Sequence, residues 1–463
     1  MWRLPGGLER WFGLKAARTT VRREVLGGST TFATMAYIIV LNPAILAHAG
    51  IPPGPSTVAT ILTAVFGTLL MGLYANRPLA VAPYMGENAF IAFGLAALGI
   101  GWQLRLGAVF VSGVAFLVIT LLGVRVWLAN AISPSLKHSF AVGIGLFLAF
   151  IGLYETGIVT SGAEHLPAAA LLAPGGEFLG RPDVPVKIGD LHQPRVLLAV
   201  FGFVVIAVLM CWRVRAAILI GIVLTGIAGY LLGQAKLPEA VVALPFTGAY
   251  DLRPIFLKLD IRGALRLSFL PILLTLFLMS FLDTLGTLVG VGAAGEMLDE
   301  QGNFPRMERP MLVDALACVF SSLVGSSTSG AFIESATGVR AGARTGLAAV
   351  VTALLFAVSL FFIPLVAPLQ ELAYAYGPAL IAVGVLMIGS VTKIDFADLT
   401  EAVPAFATIV MILFTYNIAN GLTAGLVLYP LLKLLAGRWR DLRLGSVVLA
   451  LACLVYYIFG LPH

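Results

Sequence analysis

Apolar residues occur along the chain in long runs that are separated by short polar or charged stretches. A helix needs about 20 apolar residues to cross the hydrocarbon of a bilayer. Candidate segments lie near 27–47, 57–74, 79–99, 104–124, 138–153, 196–212 and 217–233, and then near 268–290, 311–325, 331–343, 345–365, 378–391, 404–416 and 420–436, with a shorter apolar stretch at 446–459. The pattern predicts an all-α polytopic membrane protein with about fourteen transmembrane segments in two sets of seven.

Two halves with an odd number of segments cross the membrane in opposite orientations, which is the inverted repeat common in secondary transporters. The third segment of each half has a polar, glycine-containing opening and the sequence Ala-Phe-Ile, at 82–94 and at 325–338. Irregular backbone at membrane depth is tolerated only inside protein or beside a water-filled cavity. We therefore expect segments 3 and 10 to be interrupted half-helices that face a common site. The alternative is that their glycines only allow close helix packing.

The composition excludes a soluble or a disordered chain. Hydrophobic residues make up 59% of the 463 residues and charged residues only 11%, whereas a soluble domain has about 25% charged residues and disordered chains are rich in charge. The net charge of +6 comes from basic residues scattered beside apolar runs, so we expect no nucleic-acid partner. The cysteines at 211, 318 and 453 lack metal-binding spacing, and no metal or cofactor is predicted.

The distribution of charges between the loops predicts the orientation. Basic residues concentrate in alternate loops, and the long loop 154–195 on the other side is mostly acidic. By the positive-inside rule, the N-terminus and its lead-in, 1–26, are cytoplasmic. Without a visible signal peptide, we expect a multi-pass protein of the inner or plasma membrane. The stretch 234–267, with Ile255, Leu259 and Leu265 on one face, predicts an amphipathic helix at the interface.

Four carboxylates lie within the predicted segments, at Glu87, Asp283, Asp314 and Glu334. A carboxylate at the bilayer centre costs about 2.5–3.5 kcal/mol or more, so it usually marks a ligand site or a proton pathway. Asp314 lies near a segment end and is interpreted as structural. Asp283 and Glu334 are candidates for ligand binding and for proton binding, whereas Glu87 either contributes to the site or pairs with a cation from another helix.

Several stretches, taken together, resemble the nucleobase–cation symporter-2 superfamily, and within it the adenine/guanine/hypoxanthine permease branch. They are TTFATMAYIIVLNPAIL (30–46), MGENAF (85–90), LGAVFVSGVAFLVITLLGVR (106–125), GIGLFLAFIGL (143–153), FLDTLGTLVG (281–290), GSSTSGAFIESATGV (325–339), RTGLAAVVTALLF (344–356) and YNIANGLTAG (416–425). The resemblance covers nearly the whole chain.

The resemblance implies a homodimer in the lipid bilayer that moves a core domain against a gate domain. The core would comprise 27–124 and 268–365, the gate 138–233 and 378–436, and the basic stretch 437–463 with its short apolar segment would follow. It also implies proton-coupled transport of a purine nucleobase, bound between segments 3, 8 and 10. The ligand positions of the family match Asn88, Asp283 and Glu334, of which Asp283 and Glu334 would couple protons.

The chain departs from the branch pattern at two substrate-binding positions. Glu87 stands where the branch usually has a leucine before Asn88, and Ser280 stands where it commonly has an acid three residues before Asp283. One carboxylate is therefore lost and another appears nearby. Our hypothesis is that Glu87 takes over part of the missing role, with altered substrate choice as the result.

The leading interpretation is a purine nucleobase importer that works with protons by alternating access. A carrier of the same fold for uracil, xanthine or an anion is the alternative, although three carboxylates near the site argue against an anion. A membrane-embedded enzyme is disfavoured because HExxH and GxSxG motifs are absent and no catalytic residues are predicted. A channel is disfavoured because no repeated pore-lining ring is visible.

Overall fold

The computed structural model of the chain describes residues 6–458 except 97, 124–130, 164–184, 239 and 298–305. Within this part, nine helices are long and apolar enough to cross a membrane, and three shorter apolar helices accompany them at Ala217–Leu231, Leu399–Phe414 and Leu444–Leu454. The predicted all-α polytopic architecture is confirmed. The centre of the loop 154–195 and the outer ends of the predicted stretches 1–26, 104–124 and 437–463 lie outside the described residues.

The first half contains nine helices and three short strands in the described part. They are α1 (Gly6–Phe12), α2 (Val21–Met35), α3 (Ile38–His48), α4 (Pro53–Leu73), β1 (Val81–Pro83), α5 (Met85–Ala89) with a π-helical turn at Phe90–Gly94, α6 (Trp102–Leu121), α7 (Pro134–Glu155), β2 (Val159–Ser161), β3 (Val186–Ile188), α8 (Pro194–Cys211) and α9 (Ala217–Leu231).

The second half is also mainly helical in the described part. Its elements are α10 (Ile261–Ala264), α11 (Leu270–Ala294), α12 (Glu308–Val324), β4 (Ser329–Ala331), α13 (Ser335–Arg340), α14 (Gly346–Ser359), α15 (Ile363–Gln370), α16 (Ala373–Ile388), α17 (Leu399–Phe414), α18 (Ile418–Leu435) and α19 (Leu444–Ile458), with 3₁₀ turns at Gly248–Tyr250, Leu267–Phe269, Leu360–Phe362, Gly389–Lys393 and Trp439–Asp441.

Segments 3 and 10 are interrupted, as predicted, and each consists of a strand followed by a short helix. Strands β1 and β4 pair antiparallel, with Ala82 opposite Gly330. The amide of Tyr84 extends the ladder by donating to the Thr328 carbonyl at 2.9 Å. The two Ala-Phe-Ile stretches do not occupy equivalent places, because Ala331 ends its strand whereas Ala89 ends α5. The buried backbone that the helices leave free is thus satisfied by strand pairing.

Contacts between helices of the two halves occur in equivalent pairs, as expected if the halves are structural repeats. The contact of α4 with α14 corresponds to the contact of α12 with α6. Likewise, the contact of α2 with α14 corresponds to the contact of α11 with α6. In the same way, α8 packs on α16 as α17 packs on α7. This is the packing of a seven-plus-seven repeat, and the antiparallel strands agree with its inverted orientation.

The helices form two groups with few contacts between them. Helices α2 to α6 pack mainly with α11 to α14, whereas α7 to α9 pack with α16 to α18. The outer helices expose large apolar side chains such as Leu197, Val204 and Phe406, as expected of surfaces that face lipid. The assignment of the two groups as core and gate domains stays a prediction.

The amphipathic helix predicted over 234–267 is wrong. The described part of this stretch contains the 3₁₀ turn Gly248–Tyr250, the four-residue helix α10 and the first residue of the 3₁₀ turn Leu267–Phe269. Its backbone is held by other elements, because the Leu257 amide donates to the Leu323 carbonyl and the Asp260 amide to the Gln103 carbonyl, each at 2.9 Å. Leu257 takes a positive φ of 55°, which a helix does not allow. Tertiary hydrogen bonds therefore override the local apolar period.

Candidate functional site

Helix α5 carries two of the predicted site residues, Glu87 and Asn88, and both side chains are fully buried. The Ser280 hydroxyl on α11 donates to Glu87 Oε2 at 3.2 Å. The other carboxylate oxygen, Oε1, has no hydrogen-bond partner among the described residues. Glu87 thus contacts Ser280, the other position at which we expect a departure from the family pattern, and its partner is a hydroxyl and not a cation.

Asp283 lies one helical turn after Ser280, so both side chains are on one face of α11. Its side chain is half-buried and, in the described part of the chain, makes no hydrogen bond or ion pair. The helix beside it is open, since a Cβ at Gly286 would meet no atom within 4 Å. Asp283 is therefore a carboxylate that is available to a ligand.

Asn88 has one amide atom bonded and one free. Its Nδ2 donates to the Asn42 carbonyl at 3.4 Å, and its Oδ1 has no partner in the described part. The side chain of Asn42 in turn donates to Thr60 at 2.7 Å and to Ser326 at 3.2 Å. Asn42 thereby joins segments 1, 2, 3 and 10, and sequence reasoning missed it, although an Asn beside a Pro in an apolar helix is a signal for such a role.

A second buried network connects the strands to α11 and α12. The Thr284 hydroxyl donates to Asp314 Oδ2 at 2.9 Å, and the Ala331 amide donates to the same oxygen at 3.0 Å. The Tyr84 hydroxyl hydrogen-bonds Thr284 at 3.0 Å. A Cβ at Gly330 would clash with the Tyr84 hydroxyl, so glycine is needed there. Asp314 fixes strand β4, which agrees with its structural interpretation.

Glu334 lies immediately before α13 and belongs to a separate hydrogen-bonded set. The Tyr37 hydroxyl donates to Glu334 Oε1 at 2.5 Å, and the neighbouring hydroxyls of Thr34 and Thr337 are 3.0 Å apart. Glu334 lines a cavity of about 690 Å³ between α2, α13, α8, α9 and α16. Direct hydrogen bonds thus join Glu87 to Ser280 but do not connect Glu334 to them.

None of the four intramembrane carboxylates forms an ion pair with a Lys, Arg or His of the described residues. Within the same residues, no group of three or more His, Cys, Asp or Glu side chains could hold a metal ion. Glu87, Asp314 and Glu334 have hydroxyl or backbone N–H partners and Asp283 has none, so no cation of the described residues offsets a negative charge on any of them.

A different arrangement joins the start of α17 to the end of α18. The ammonium of Lys433, which is almost fully buried, lies 3.3 Å from Asp398 and 3.1 Å from Glu401. Arg438 pairs with Asp398 at 2.6 Å and with Asp441 at 2.8 Å. Hydrogen bonds from Thr400, and then from Arg438 and Lys433, hold the pKa of Asp398 below its usual range. We call this set the α17–α18 ion-pair network.

The two helix groups also meet at the end of the molecule away from the cavity. There His48 Nε2, at the end of α3, lies 3.4 Å from Glu155 of α7 and 3.4 Å from the Tyr376 hydroxyl of α16. The His48 ring is 5.1 Å from the Phe93 ring, which is 6.3 Å from the Tyr416 ring. Polar and aromatic contacts therefore close this end of the interface.

Two helix groups, interrupted helices and buried carboxylates without cations define a membrane transport protein of the permease class. In agreement, the model of a Permease family matches residues 22–423. The chain belongs to this family, whose proteins are those of the nucleobase–cation symporter-2 group.

Named relatives cover almost all of the chain. Adenine permease AdeP of Escherichia coli is 38% identical over 459 residues, which are 99% of this chain and 97% of AdeP. Guanine/hypoxanthine permease PbuO of Bacillus subtilis is 37% identical over 447 residues, 95% of this chain and 98% of PbuO. The transmembrane domain of the cyanobacterial bicarbonate transporter BicA has the same fold, with a TM-score of 0.58, 18% identity and coverage of 87% of this chain and 97% of that domain.

Proposed function

We propose that this permease imports the purine nucleobase adenine, guanine or hypoxanthine together with protons by alternating access. The observation that carries the proposal is the set of free polar atoms on Glu87, Asn88 and Asp283, which lie on two facing elements, α5 and α11. A carboxylate accepts from N–H groups and an amide both donates and accepts. The edge of a purine offers both kinds of partner, and relatives named as adenine and guanine/hypoxanthine permeases support this substrate class.

The uncompensated charge favours a neutral base over an anion. Glu87 and Asp283 have no cationic partner in the described residues, and when ionised they repel an anion from the place between α5 and α11, where the dielectric constant is low. The likeness to a bicarbonate transporter concerns the fold alone. A uracil or xanthine carrier is the alternative within the family. Comparing the uptake of these bases with that of adenine, guanine and hypoxanthine distinguishes the two functions.

Alternating access is supported by the difference between the two ends of the helix-group interface. One end contains the cavity of about 690 Å³ beside Glu334, and the other end is closed by the contacts of His48 and Phe93. Under the predicted orientation the cavity opens to the cytoplasm. Relative movement of the two groups would close the cavity and separate His48 from Glu155.

Proton coupling requires a group that exchanges a proton during this movement. Asp283 and Glu334 suit the role because neither is neutralised by a cation in the described residues, and intramembrane carboxylates commonly serve as relays. Glu334 lies at the cavity, so water can reach it. The homodimer and the location in the inner or plasma membrane stay predictions.

Uptake into proteoliposomes tests the proposal. Labelled adenine, guanine, hypoxanthine, uracil and xanthine are offered with and without an inward proton gradient. We expect saturable uptake of adenine, guanine or hypoxanthine that the gradient stimulates, loss of that uptake in Asp283→Asn, and normal uptake in Asp441→Asn, whose carboxylate is exposed and paired with Arg438. Uptake that prefers uracil or xanthine, or that ignores the gradient, would contradict it.

A further inference from the structure

The cavity beside Glu334 is larger and more basic than a neutral base requires. Its volume of about 690 Å³ falls within the ~300–1,000 Å³ of pockets for drug-sized ligands, whereas a nucleobase has only two small rings. Three of its lining residues are arginines, at 213, 215 and 340, and Glu334 is the one carboxylate among the lining residues. Glu334 already accepts a hydrogen bond from Tyr37.

The arginines reach the cavity from both helix groups. Arg213 and Arg215 lie in the turn between α8 and α9, and Arg340 is the last residue of α13. Arg215 donates to the Thr30 hydroxyl at 3.2 Å. Arg213 and Arg340 are exposed, and their side chains have no hydrogen bond or ion pair within the described residues. Two guanidinium groups on opposite walls are therefore free to bind an anion.

The backbone adds to the positive potential at the same place. Helix α9 begins at the cavity with Ala217 and Ile218, and its first turn receives no side-chain cap. The N-terminus of a helix carries a partial positive charge and free N–H groups. Arg213 itself takes a positive φ of 59°, a conformation that is uncommon for a bulky residue. The positive-inside rule explains basic residues on this face but not their convergence on one cavity.

We propose that the cavity binds a purine nucleoside 5′-monophosphate, with the phosphate held by Arg213 and Arg340 and the base directed toward Glu334. Arginine binds phosphate through two parallel hydrogen bonds. The assignment of the base rests on the proposed function, whereas the assignment of the phosphate rests on the arginines alone. The ligand contacts both helix groups, so it holds the cavity open and opposes the movement that transport requires.

Such a ligand is the product of a reaction in which a ring nitrogen of an imported base loses its proton and displaces the leaving group from the anomeric carbon of a 5-phosphorylated sugar. Binding on the cavity side would slow further import when this product accumulates. A ligand that favours one of two conformations shifts the equilibrium by its differential affinity for them. The inhibition is therefore expected from the cavity side of the membrane and not from the other side.

Binding to the purified full chain tests the proposal. Adenosine and guanosine 5′-monophosphates, the two nucleosides and inorganic phosphate are each titrated calorimetrically and in competition with labelled nucleobase, at fixed ionic strength. We expect a monophosphate to compete at least tenfold more strongly than its nucleoside. Arg213→Gln and Arg340→Gln should each weaken monophosphate binding roughly tenfold and leave nucleobase affinity unchanged. The control is Arg22→Gln, an exposed arginine that does not line the cavity.

Three results would overturn the proposal: equal competition by nucleoside and monophosphate, wild-type affinity in both variants, or inorganic phosphate binding as tightly as the monophosphate. Vesicles with and without anionic lipid distinguish a lipid headgroup as the source of the phosphate. If the variants lose only their dependence on anionic lipid, the arginines bind lipid and the proposal is wrong. If nucleobase does not bind, the proposed function fails, and calorimetry of the monophosphate still tests the arginines.

Discussion

The molecule holds its carboxylates in two contrasting ways. In the α17–α18 ion-pair network, Asp398, Glu401 and Asp441 all pair with Lys433 or Arg438. In the centre, the buried Glu87 accepts a hydrogen bond from the Ser280 hydroxyl and the half-buried Glu334 accepts one from the Tyr37 hydroxyl, and no cation of the described residues pairs with them.

The contrast separates structural acids from acids that are available for chemistry. A neutralised carboxylate holds two helices together, and it has little reason to bind a ligand or a proton. A carboxylate that lies inside the protein without a cation costs free energy of folding. Its presence therefore indicates a role in ligand or proton binding and not in stabilising the fold. The four predictions below test this distinction, in order of decreasing expected effect.

Removing the buried cation of the network should give the largest effect. Lys433→Met leaves Glu401 without its ion-pair partner, and breaking a buried pair costs about 3–5 kcal/mol. We expect the free energy of unfolding in detergent to fall by about 3 kcal/mol, with uptake per folded molecule unchanged. Lys433→Arg, which keeps the charge, is the control. A large loss of uptake without a loss of stability would place this network in the transport machinery.

Neutralising the carboxylate at the cavity should give the opposite result. In Glu334→Gln the amide oxygen still accepts the hydrogen bond from Tyr37, so the fold is retained while the charge and the exchangeable proton are lost. Charge-assisted hydrogen bonds contribute about 1.5–3 kcal/mol. We expect kcat/KM for nucleobase uptake to fall about 10- to 100-fold with unchanged melting. Asp441→Asn, which changes an exposed carboxylate paired with Arg438, is the control, and equal uptake in wild type and Glu334→Gln would refute the role.

Glu87 tests whether a buried acid can replace one lost from a neighbouring helix. We expect Glu87→Gln to reduce uptake by roughly threefold to tenfold, to weaken its pH dependence and to alter the preference among purines. Adding Ser280→Asp to this variant restores an acid at the usual family position and should recover part of the activity. Full, pH-independent uptake of the wild-type substrates by Glu87→Gln would disprove the hypothesis.

The smallest expected effect concerns acid stability of the ion-pair network. The folded-state pKa of Asp398 lies below its ordinary value, so its contribution to stability is complete at neutral pH. The contribution declines as the pH falls below about 4 and is lost as it passes the folded-state pKa. Because the pair is partly exposed, the difference should not exceed about 1 kcal/mol. Melting of wild type and Asp398→Asn should therefore converge at acid pH, and a constant difference would contradict the assignment.

The sequence predicted those features that depend on local composition. Apolar runs located the membrane segments, and the glycines and serines of 325–338 located the interruption that became strand β4. The pairing of that strand with β1, and the contacts of Tyr37, Asn42 and Tyr84, were not predicted. Their partners are distant in the chain, as in the 297 residues between Tyr37 and Glu334, and an apolar pattern does not show which buried polar groups meet.

The residues of the candidate site were also predicted from local composition, whereas their contacts were not. The rarity of charge in apolar segments identified Glu87, Asp283 and Glu334, and the structure shows that Glu87 has a hydroxyl partner on α11. The amphipathic helix over 234–267 was predicted from three apolar positions, and long-range hydrogen bonds of Leu257 and Asp260 decided otherwise. A periodic pattern of three apolar residues is weak evidence for a helix where the backbone can form hydrogen bonds with the ends of other helices.

The pairing of β1 with β4 has a consequence for biosynthesis. When the ribosome has delivered β1, its partner strand is still about 250 residues away, which at about 5–20 residues per second is a delay of roughly ten to fifty seconds. Unpaired amide and carbonyl groups in hydrocarbon cost several kcal/mol each. The nascent first half must therefore shelter this edge within the insertion machinery or beside water, and truncation before Ser329 should leave a chain that proteases remove quickly in a pulse-chase experiment.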